Sequence, residues 1–473
     1  MAVIDRRCNA IEELSHDSSL LLSPIGRRFP GISHSMRELR VDAPPQRVDI
    51  AIIGGGAIGC GIACELRQSA QLRDRVIILD ADTHLLQRYF AAMLSAGQRV
   101  MRSPYEHQLA PDGTIQMLDF ARLHAGLLTP LERGQVRLGL SGQRAVVPLD
   151  IFVAHSTHVL AVHRLREIAY RFAVAGLRRT RDGLWAISDA QGRTVHARAV
   201  VLAAGNRQTP WPAELDEAGQ RFPDRVQPVY AGARHVAPGE HVLIVGSGLS
   251  AGHCILQCVE AGAVPIWAVR DEERYRCADF PTSYFRTEGV AAFRRLPLEQ
   301  KLDVLRDTHR GSLMLEFLPL IQEYEASGRM RILRGATVAH IGAEGGRLRA
   351  TMSSGEAFGV DRVVVAIGLT PNTALLPREM ALVGGRYPLV SPETLEVQGH
   401  EQLFAAGSLG VLHLGPAGKN IDGARLAAEL ILPALEERFG AAAPAARPRL
   451  ANRITGSASI QPPIFEGRHV TAG

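Results

Sequence analysis

Lysine is nearly absent from this chain. Of its 53 basic residues only Lys301 and Lys419 are lysines; the rest are arginines. Codon composition is enough to produce such a bias, but it singles out each lysine as a position to follow. Runs of like charge are missing too. Against the 53 basic residues stand 48 acidic ones, interspersed, for a net charge of +5, so nucleic acid is not an expected partner. No apolar run reaches the roughly 18 residues of a spanning helix, so no membrane is expected either. The start, MAVIDRRCNAIEELSHDSS, is polar, and LLLSPIG is too short for the apolar core of a secretory signal. The six cysteines, at 8, 60, 64, 254, 258 and 277, form no zinc or C-x-x-C pattern. A cytoplasmic, reduced protein follows. His155 and His158, in AHSTH, have no third ligand beside them, so no metal is expected. No nucleophile–base–acid triad is visible.

What is there is a repeat. The 473 residues, 46% hydrophobic and 21% charged, suffice for two or three domains with full cores. Residues 1–46 read as an N-terminal extension, and residues 437–473, rich in Ala, Pro and Arg, as a loosely packed tail. Between them DIAIIGGGAIGCGIAC opens a unit with Gly54-x-Gly56-x-x-Gly59, and HVLIVGSGLSAGHC opens another with Gly246-x-Gly248-x-x-Ala251. Each has a second strand, RVIILD ending at Asp80 and PIWAVR ending at Arg270. Each closes with a turn glycine followed 13 residues later by the glycine of A-x-G: Gly192 and Gly205, then Gly355 and Gly368. Runs such as AVVLAAG and RVVVAIG lack alternation, as parallel strands buried on both faces do. One such fingerprint is weak evidence, but two with the same sequel are strong. The fold class is therefore α/β, with two Rossmann-like dinucleotide-binding domains. The split repeat predicts an FAD-binding first part over 47–234, an inserted NADPH-binding domain over 235–365 with a helical insertion, and an FAD-binding second part over 366–436.

In each turn the first glycine allows the tight bend and the second lets backbone N–H groups approach a pyrophosphate. The third position lets the helix pack close, so that its positive end faces the phosphates. The residue closing the second strand tells the sites apart. Asp80 accepts hydrogen bonds from ribose hydroxyls, which suits FAD or NAD; Arg270 meets a 2′-phosphate, which suits NADPH, with Arg274 and Arg276 able to add to it. A plain solvated strand end is the alternative for Arg270, since Asp271 and Glu272 follow. Downstream, LFAAGSLGVLHLGPAGKNIDGARLAAEL reads as strand, Gly407, loop, Gly415-Pro416 and a helix from about Asn420. A glycine-rich approach to a helix N-terminus suits the flavin pyrimidine, which becomes electron-rich on reduction. Lys419, just before that helix, is either a flavin-tuning cation or a solvated loop lysine.

Over residues 47–435 the chain resembles the two-dinucleotide-binding-domain flavoproteins, and within them the class B flavin monooxygenases related to lysine and ornithine N-hydroxylases. The resemblance rests on G-S-G-L-S-A, with Ser250 and Ala251, and on MLSAGQRVMRSPYEHQL and VPLDIFVAHSTHVLAV, which are similar to N-hydroxylase segments. It implies a C4a-hydroperoxyflavin formed from reduced FAD and O2, then attacked by a nucleophilic amine. Baeyer–Villiger or S-oxygenation and an NADPH-dependent reductase or dehydrogenase are the alternatives. There are departures. The F-x-G-x-x-x-H fingerprint of related oxygenases is reduced to YAGARH (Tyr230, Gly232, His235), Ser408 replaces the Asp of many disulfide reductases, and the usual N-hydroxylase ending is missing. Arg102, beside His107, is a candidate contact for FAD or substrate, with a plain surface arginine as the alternative. The resemblance also places substrate contacts in the insertion opened by DFPTSYFRTEG, where Arg286 and Glu288 are candidates. Cys60/Cys64 and Cys254/Cys258 lie on the fingerprint helices and read as small buried residues, not a redox pair.

Overall fold

The computed structural model describes residues 3–4, 18–22, 26–27, 29, 38–39, 43–109, 114–232 and 236–440. Cys8, His235 and nearly all of the predicted tail lie outside these residues.

The first sheet is built from the apolar runs flagged in the sequence. Its strands are β1 (Arg47–Ile53), β2 (Val76–Asp80), β3 (Ala169–Arg171), β4 (Val174–Arg179), β5 (Trp185–Asp189) and β6 (Thr194–Leu202), in the order β3-β2-β1-β6-β5-β4. β1 lies parallel between β2 and β6, Ile50 facing Val76 and Ala199. Ile50, Ile52, Ile78, Val200 and Val201 are buried, and β-branched side chains of this kind fit a pleat covered on both faces. β6 divides its outer edge. Its first half pairs antiparallel with β5, and its second half pairs parallel with a strand from the far end of the chain, Leu403–Ala405.

The second sheet is fully parallel. β7 (Val226–Pro228), β8 (His241–Val245), β9 (Val264–Val269), β10 (Arg331–Arg334) and β14 (Arg362–Val365) run in the order β7-β14-β8-β9-β10. The antiparallel meander β11 (Val338–Glu344), β12 (Arg347–Met352) and β13 (Ala357–Val360) precedes β14. The sequence reading opens this domain at residue 235, but β7 and the helix Ala213–Arg221 already pack with it, Leu215, Ala218 and Val226 sharing a core with Leu243 and Val363. Strand β7 is too short and too mixed to announce itself by pattern. The chain crosses between domains twice, and the crossings pair with each other. Asn206–Gln208 runs antiparallel to Leu369–Pro371. Gly205 (φ +67°) and Gly368 (φ +88°) stand at the entrances of this ribbon, in the left-handed region that favours glycine.

Two segments tie the domains further. Helices Thr287–Arg294 and Leu298–Thr308, part of the second domain by sequence, pack on the returning first domain, where Phe293 and Leu305 join Tyr387, Val411 and Leu412 in one cluster. The N-terminal extension is not free-standing where it is described. Val3–Ile4 pairs with Arg274–Tyr275, and Leu20 and Leu21 fill the second domain's core. Arg27 pairs with Glu132 and Asp150 of the first domain, and Leu39 N–H donates to the carbonyl of Thr83. No helix among the described residues is long and apolar enough to cross a membrane.

Candidate functional site

The first turn joins β1 to α1 (Ala57–Gln68). Gly54 has φ +110°, and a Cβ there would lie 2.4 Å from the carbonyl oxygen of Ala203. At Gly59 a Cβ would stand 1.9 Å from the Gly54 oxygen, so only glycine lets helix and strand come this close. Gly56 caps the helix without any side-chain bond, and the space beside its Cα is open. The first-turn N–H groups therefore face a cradle that a pyrophosphate fits. Asp80 ends β2 half-buried and accepts from the N–H groups of Gly55 and, at 2.7 Å, of Asp82. Burial pushes its carboxyl above the ordinary value, and the two N–H donors oppose this. Each oxygen keeps a further lone pair for a ribose hydroxyl.

The second turn repeats the geometry between β8 and α2 (Leu249–Glu260). Gly246 has φ +129°, with a Cβ position 2.2 Å from the oxygen of Ala366, and Gly248 caps the helix with open space beside it. Ser250 is engaged by Tyr230 of the reduced YAGARH motif, hydroxyl to hydroxyl at 2.8 Å. Arg270 is 72% exposed, 3.7 Å from Asp271, and thus free to turn toward a ligand. Arg274 and Arg276 are instead paired with Asp307, at 3.3 and 3.7 Å. One loop approaches this turn. Gly311 sits so that its Cβ would be 3.1 Å from Gly248, and the Ser247 hydroxyl donates to the carbonyl of Arg310 at 3.0 Å.

The segment expected to approach a flavin pyrimidine differs in detail from the sequence reading. A helical turn over Pro416–Lys419 comes first, and α3 (Gly423–Phe439) starts three residues later than Asn420. The reason is local: Gly423 presses on the Gly418 carbonyl, where a Cβ would be 2.0 Å away, and Asp422 takes the cap position. Gly407 (φ +63°) packs against Ile58 of α1, and Gly415 has φ +73°.

Beside the loop that meets the second turn lies a charged knot, in which the sequence marks Arg102 and Lys419 but not Asp279 or Ser312. The Arg102 guanidinium donates to the Asp279 carboxylate, to the Ser312 hydroxyl at 3.2 Å and to the Ser312 carbonyl. The Ser312 hydroxyl donates to Asp279 at 2.9 Å. Burial alone would raise the Asp279 carboxyl, but Arg102, then Lys419 and Ser312, hold it below the usual range. Lys419 donates to the Thr308 carbonyl at 3.4 Å and lies 6.0 Å from the Phe280 ring centre. Burial lowers its ammonium, with Asp279 opposing. His107 stacks on Phe285, with centroids 4.1 Å apart, and burial keeps it neutral-prone, below the ordinary imidazole value. Arg286 and Glu288 do not join this group; both are exposed at the start of the helix Thr287–Arg294. Cys60, Cys64, Cys254 and Cys258 are buried in α1 and α2. His155 is buried, its Nε2 2.9 Å from the Ile115 carbonyl oxygen, and no group of three or more His, Cys, Asp or Glu suited to a metal occurs among the described residues.

The sequence signature of the pyridine nucleotide-disulphide oxidoreductases matches residues 163–421, more than half of the chain. The chain belongs to that family. Members of the pyridine nucleotide-disulphide oxidoreductase family bind FAD and NAD(P)H. No curated protein sequence matches the chain. In shape it is similar to the FAD-bound cadaverine monooxygenase of desferrioxamine biosynthesis from Erwinia amylovora, at 14% identity, 84% of this chain, 96% of that one and a TM-score of 0.64. It is similar to ornithine hydroxylase from Pseudomonas aeruginosa at 16%, 83%, 99% and 0.65. It is also similar to a bacillithiol disulfide reductase from Staphylococcus aureus at 15%, 83%, 99% and 0.57. The fold expected from the sequence, one dinucleotide domain inserted in another, is thus borne out. At these identities the likeness fixes the fold and leaves the reaction to the site.

Proposed function

We propose that the chain is an FAD-dependent, NADPH-consuming monooxygenase that hydroxylates the nitrogen of a small amine. The observation that carries this over a disulfide reductase is the burial of both cysteine pairs inside the fingerprint helices. A dithiol reductase needs a thiol pair beside the flavin, whereas Cys60 donates its S–H into the back of the first turn, to the Gly55 carbonyl at 3.2 Å. Burial pushes the Cys60 thiol up, away from reactivity.

In this reading Gly54, Gly56 and Gly59 hold the FAD pyrophosphate and Asp80 its ribose. Gly246, Gly248 and Ser250 hold that of NADPH, and Arg270 takes the 2′-phosphate. When bound, FAD supplies the hydride acceptor and the means of activating O2. Gly407, Gly415, Lys419 and Asn420 approach the pyrimidine end, and Lys419 together with the N-terminus of α3 offers positive charge there. Gly205 and Gly368 fix the ribbon between the domains. Phe280, Phe285 and His107 pack ring against ring beside Lys419, and in this reading that cluster would limit the access of water. Arg286 and Glu288 remain the proposed substrate contacts, on the exposed rim of the insertion.

The test is product balance. Small diamines and basic amino acids are offered with NADPH and O2, and hydroxylamine formed per NADPH consumed is measured. A ratio near one for some amine is expected. Hydrogen peroxide as the sole product with every amine, or reduction of a disulfide substrate at the expense of NADPH, would sink the reading.

A further inference from the structure

Arg102, Asp279, Ser312 and Lys419 come from three parts of the chain. Arg102 follows the short strand Val100–Met101 of the first domain, Asp279 and Ser312 flank the helical insertion, and Lys419 leads into α3. Arg102 is 10% exposed and Asp279 35%. The Asp279 carboxylate thus pairs with Arg102, and Lys419 adds its charge from nearby. Ser312 hands the same knot to the second turn, because its neighbours Arg310 and Gly311 are the residues seated on Ser247 and Gly248. The chain of contacts runs unbroken from Arg102 to the phosphate-holding backbone: guanidinium to Ser312, Ser312 through Gly311 to Gly248.

A second contact between the domains lies behind it. Arg99 pairs with Glu260 at the end of α2 at 2.5 Å, and Gly97 lies against Gln257, whose Oε1 would be 3.1 Å from a Cβ there. The segment 97–102 is therefore gripped at both ends by the domain that carries the second turn. The rear grip is a partly exposed ion pair, worth little. In the front grip the guanidinium is the more deeply buried, 10% exposed for Arg102 against 27% for Arg99, and Arg102 and the Ser312 hydroxyl both bond to Asp279, so losing the carboxylate would leave a largely buried cation without its anion.

We propose that Asp279 is a positioning residue for hydride transfer, fastening segment 97–102 of the first domain to the loop that seats on the second nucleotide turn. The proposal rests on the reading that FAD and NADPH occupy the two turns. Nucleotide binding at Gly248 then reaches the flavin side through Gly311, Ser312 and Arg102, and the two dinucleotides are held at a set separation. Small errors in such a separation cost rate steeply.

Four proteins test this: the wild type, Asp279→Asn, Asp279→Glu and Ser312→Ala. The first readout needs no flavin turnover. NADP+ added to the wild type should slow hydrogen exchange in peptides covering 308–314 and also in those covering 97–105. In Asp279→Asn the slowing should be confined to 308–314. The second readout is anaerobic flavin reduction at saturating NADPH. The rate should fall ~10-fold or more in Asp279→Asn and about threefold in Ser312→Ala, with Asp279→Glu retaining most of it. NADP+ affinity and reduction by dithionite should stay within about twofold of the wild type. Wild-type rates in Asp279→Asn, or wild-type exchange coupling in it, overturn the proposal. Should Asp279→Asn fail to fold, Ser312→Ala decides, since it keeps every charge; unchanged coupling and rate there overturn it as well. A wild type that NADPH does not reduce would instead sink the cofactor reading, and the NADP+-dependent exchange would still decide the clasp.

Discussion

The two glycine turns solve one backbone problem and differ in how they are closed. Both open with a glycine at large positive φ pressed against a carbonyl of the strand beside it, Ala203 in one and Ala366 in the other. At the third position they part. Gly59 has no room for a methyl group, while Ala251, fully buried, carries one. The first turn is also sealed by a whole helix: at Gly61 a Cβ would lie 2.5 Å from that of Ala424 in α3. The second is packed in its own way: at Gly252 a Cβ would lie 3.0 Å from Phe317, which opens the helix Phe317–Ala326, while the loop at Gly311 and the Tyr230 hydroxyl meet the turn itself. A third position with no room for a methyl group grips its strand more tightly than one that holds a methyl group.

The largest expected effect is at the sealed turn. Gly59→Val should cost about 3 kcal/mol of stability and yield protein without bound flavin, because the new side chain collides with backbone. Ala251→Gly should cost about 1 kcal/mol, a helix-propensity effect, and retain flavin. Urea unfolding and the flavin absorbance of the purified proteins check both, and flavin retained at full level in Gly59→Val would erase the distinction. Next comes the strand end that separates the sites. Arg270→Ala should raise the half-saturating NADPH concentration for flavin reduction by about 10- to 150-fold, as loss of a charge-assisted phosphate contact of about 1.5–3 kcal/mol would, and leave NADH unaffected. Equal half-saturation for the two nucleotides in the wild type would remove the asymmetry.

A third test compares the halves through one buried histidine in each. Burial lowers His155, in the first domain, to about 4 and His253, on α2, to about 3. The unfolded chain takes up these protons near pH 6.5 and the folded chain does not. Stability should therefore fall as pH drops from about 6.5 to about 4, each histidine contributing up to about 1.4 kcal/mol per pH unit. His253→Phe, beside Phe317, should remove one share of that slope in urea unfolding at pH 7 and pH 5; an unchanged slope refutes it. The smallest effect separates the two lysines. Both lie over aromatic rings, Lys301 over Phe293 at 5.8 Å and Lys419 over Phe280 at 6.0 Å. Lys419→Met should lower the flavin midpoint potential by on the order of 30 mV, about 1.4 kcal/mol for two electrons, with flavin content unchanged. Lys301→Met should leave the potential alone, and equal shifts would dissolve the contrast.

The turns are legible in sequence because they are local. A bend at φ +110° followed by a tight helix leaves glycine as the residue that fits, and the strands beside it must be apolar on both faces. The knot at Asp279 is not local. Asp279 and Arg102 stand 177 residues apart, and no periodicity marks an acid in a loop. Reading the stretch DFPTSYFRTEG for charge draws the eye to Arg286 and Glu288, which face solvent, and past the aspartate at its head. The rarity of lysine, which marks Lys419, and the MRSPYEH stretch, which marks Arg102, are the signals that point toward the knot. The LLLSPIG segment is similar: too short for a signal, it gives two leucines to the second domain's core, a use that only the tertiary contacts reveal.

The pairing of Leu403–Ala405 with the second half of β6 also orders events during synthesis. When residue 371 has been made, the parallel sheet of the second domain and both strands of its connecting ribbon are in hand, although its helices Thr287–Arg294 and Leu298–Thr308 still await Tyr387, Val411 and Leu412. The first sheet at that moment lacks a strand on the exposed half of β6, and α1 lacks the helix that covers Gly61. The earlier-made domain must wait, with an open edge, for the last sixty-odd residues of its own fold, while the later-made one already has its whole sheet. Halting translation just short of residue 403 should thus leave a protease-resistant parallel sheet in the second domain attached to a first domain that digests readily.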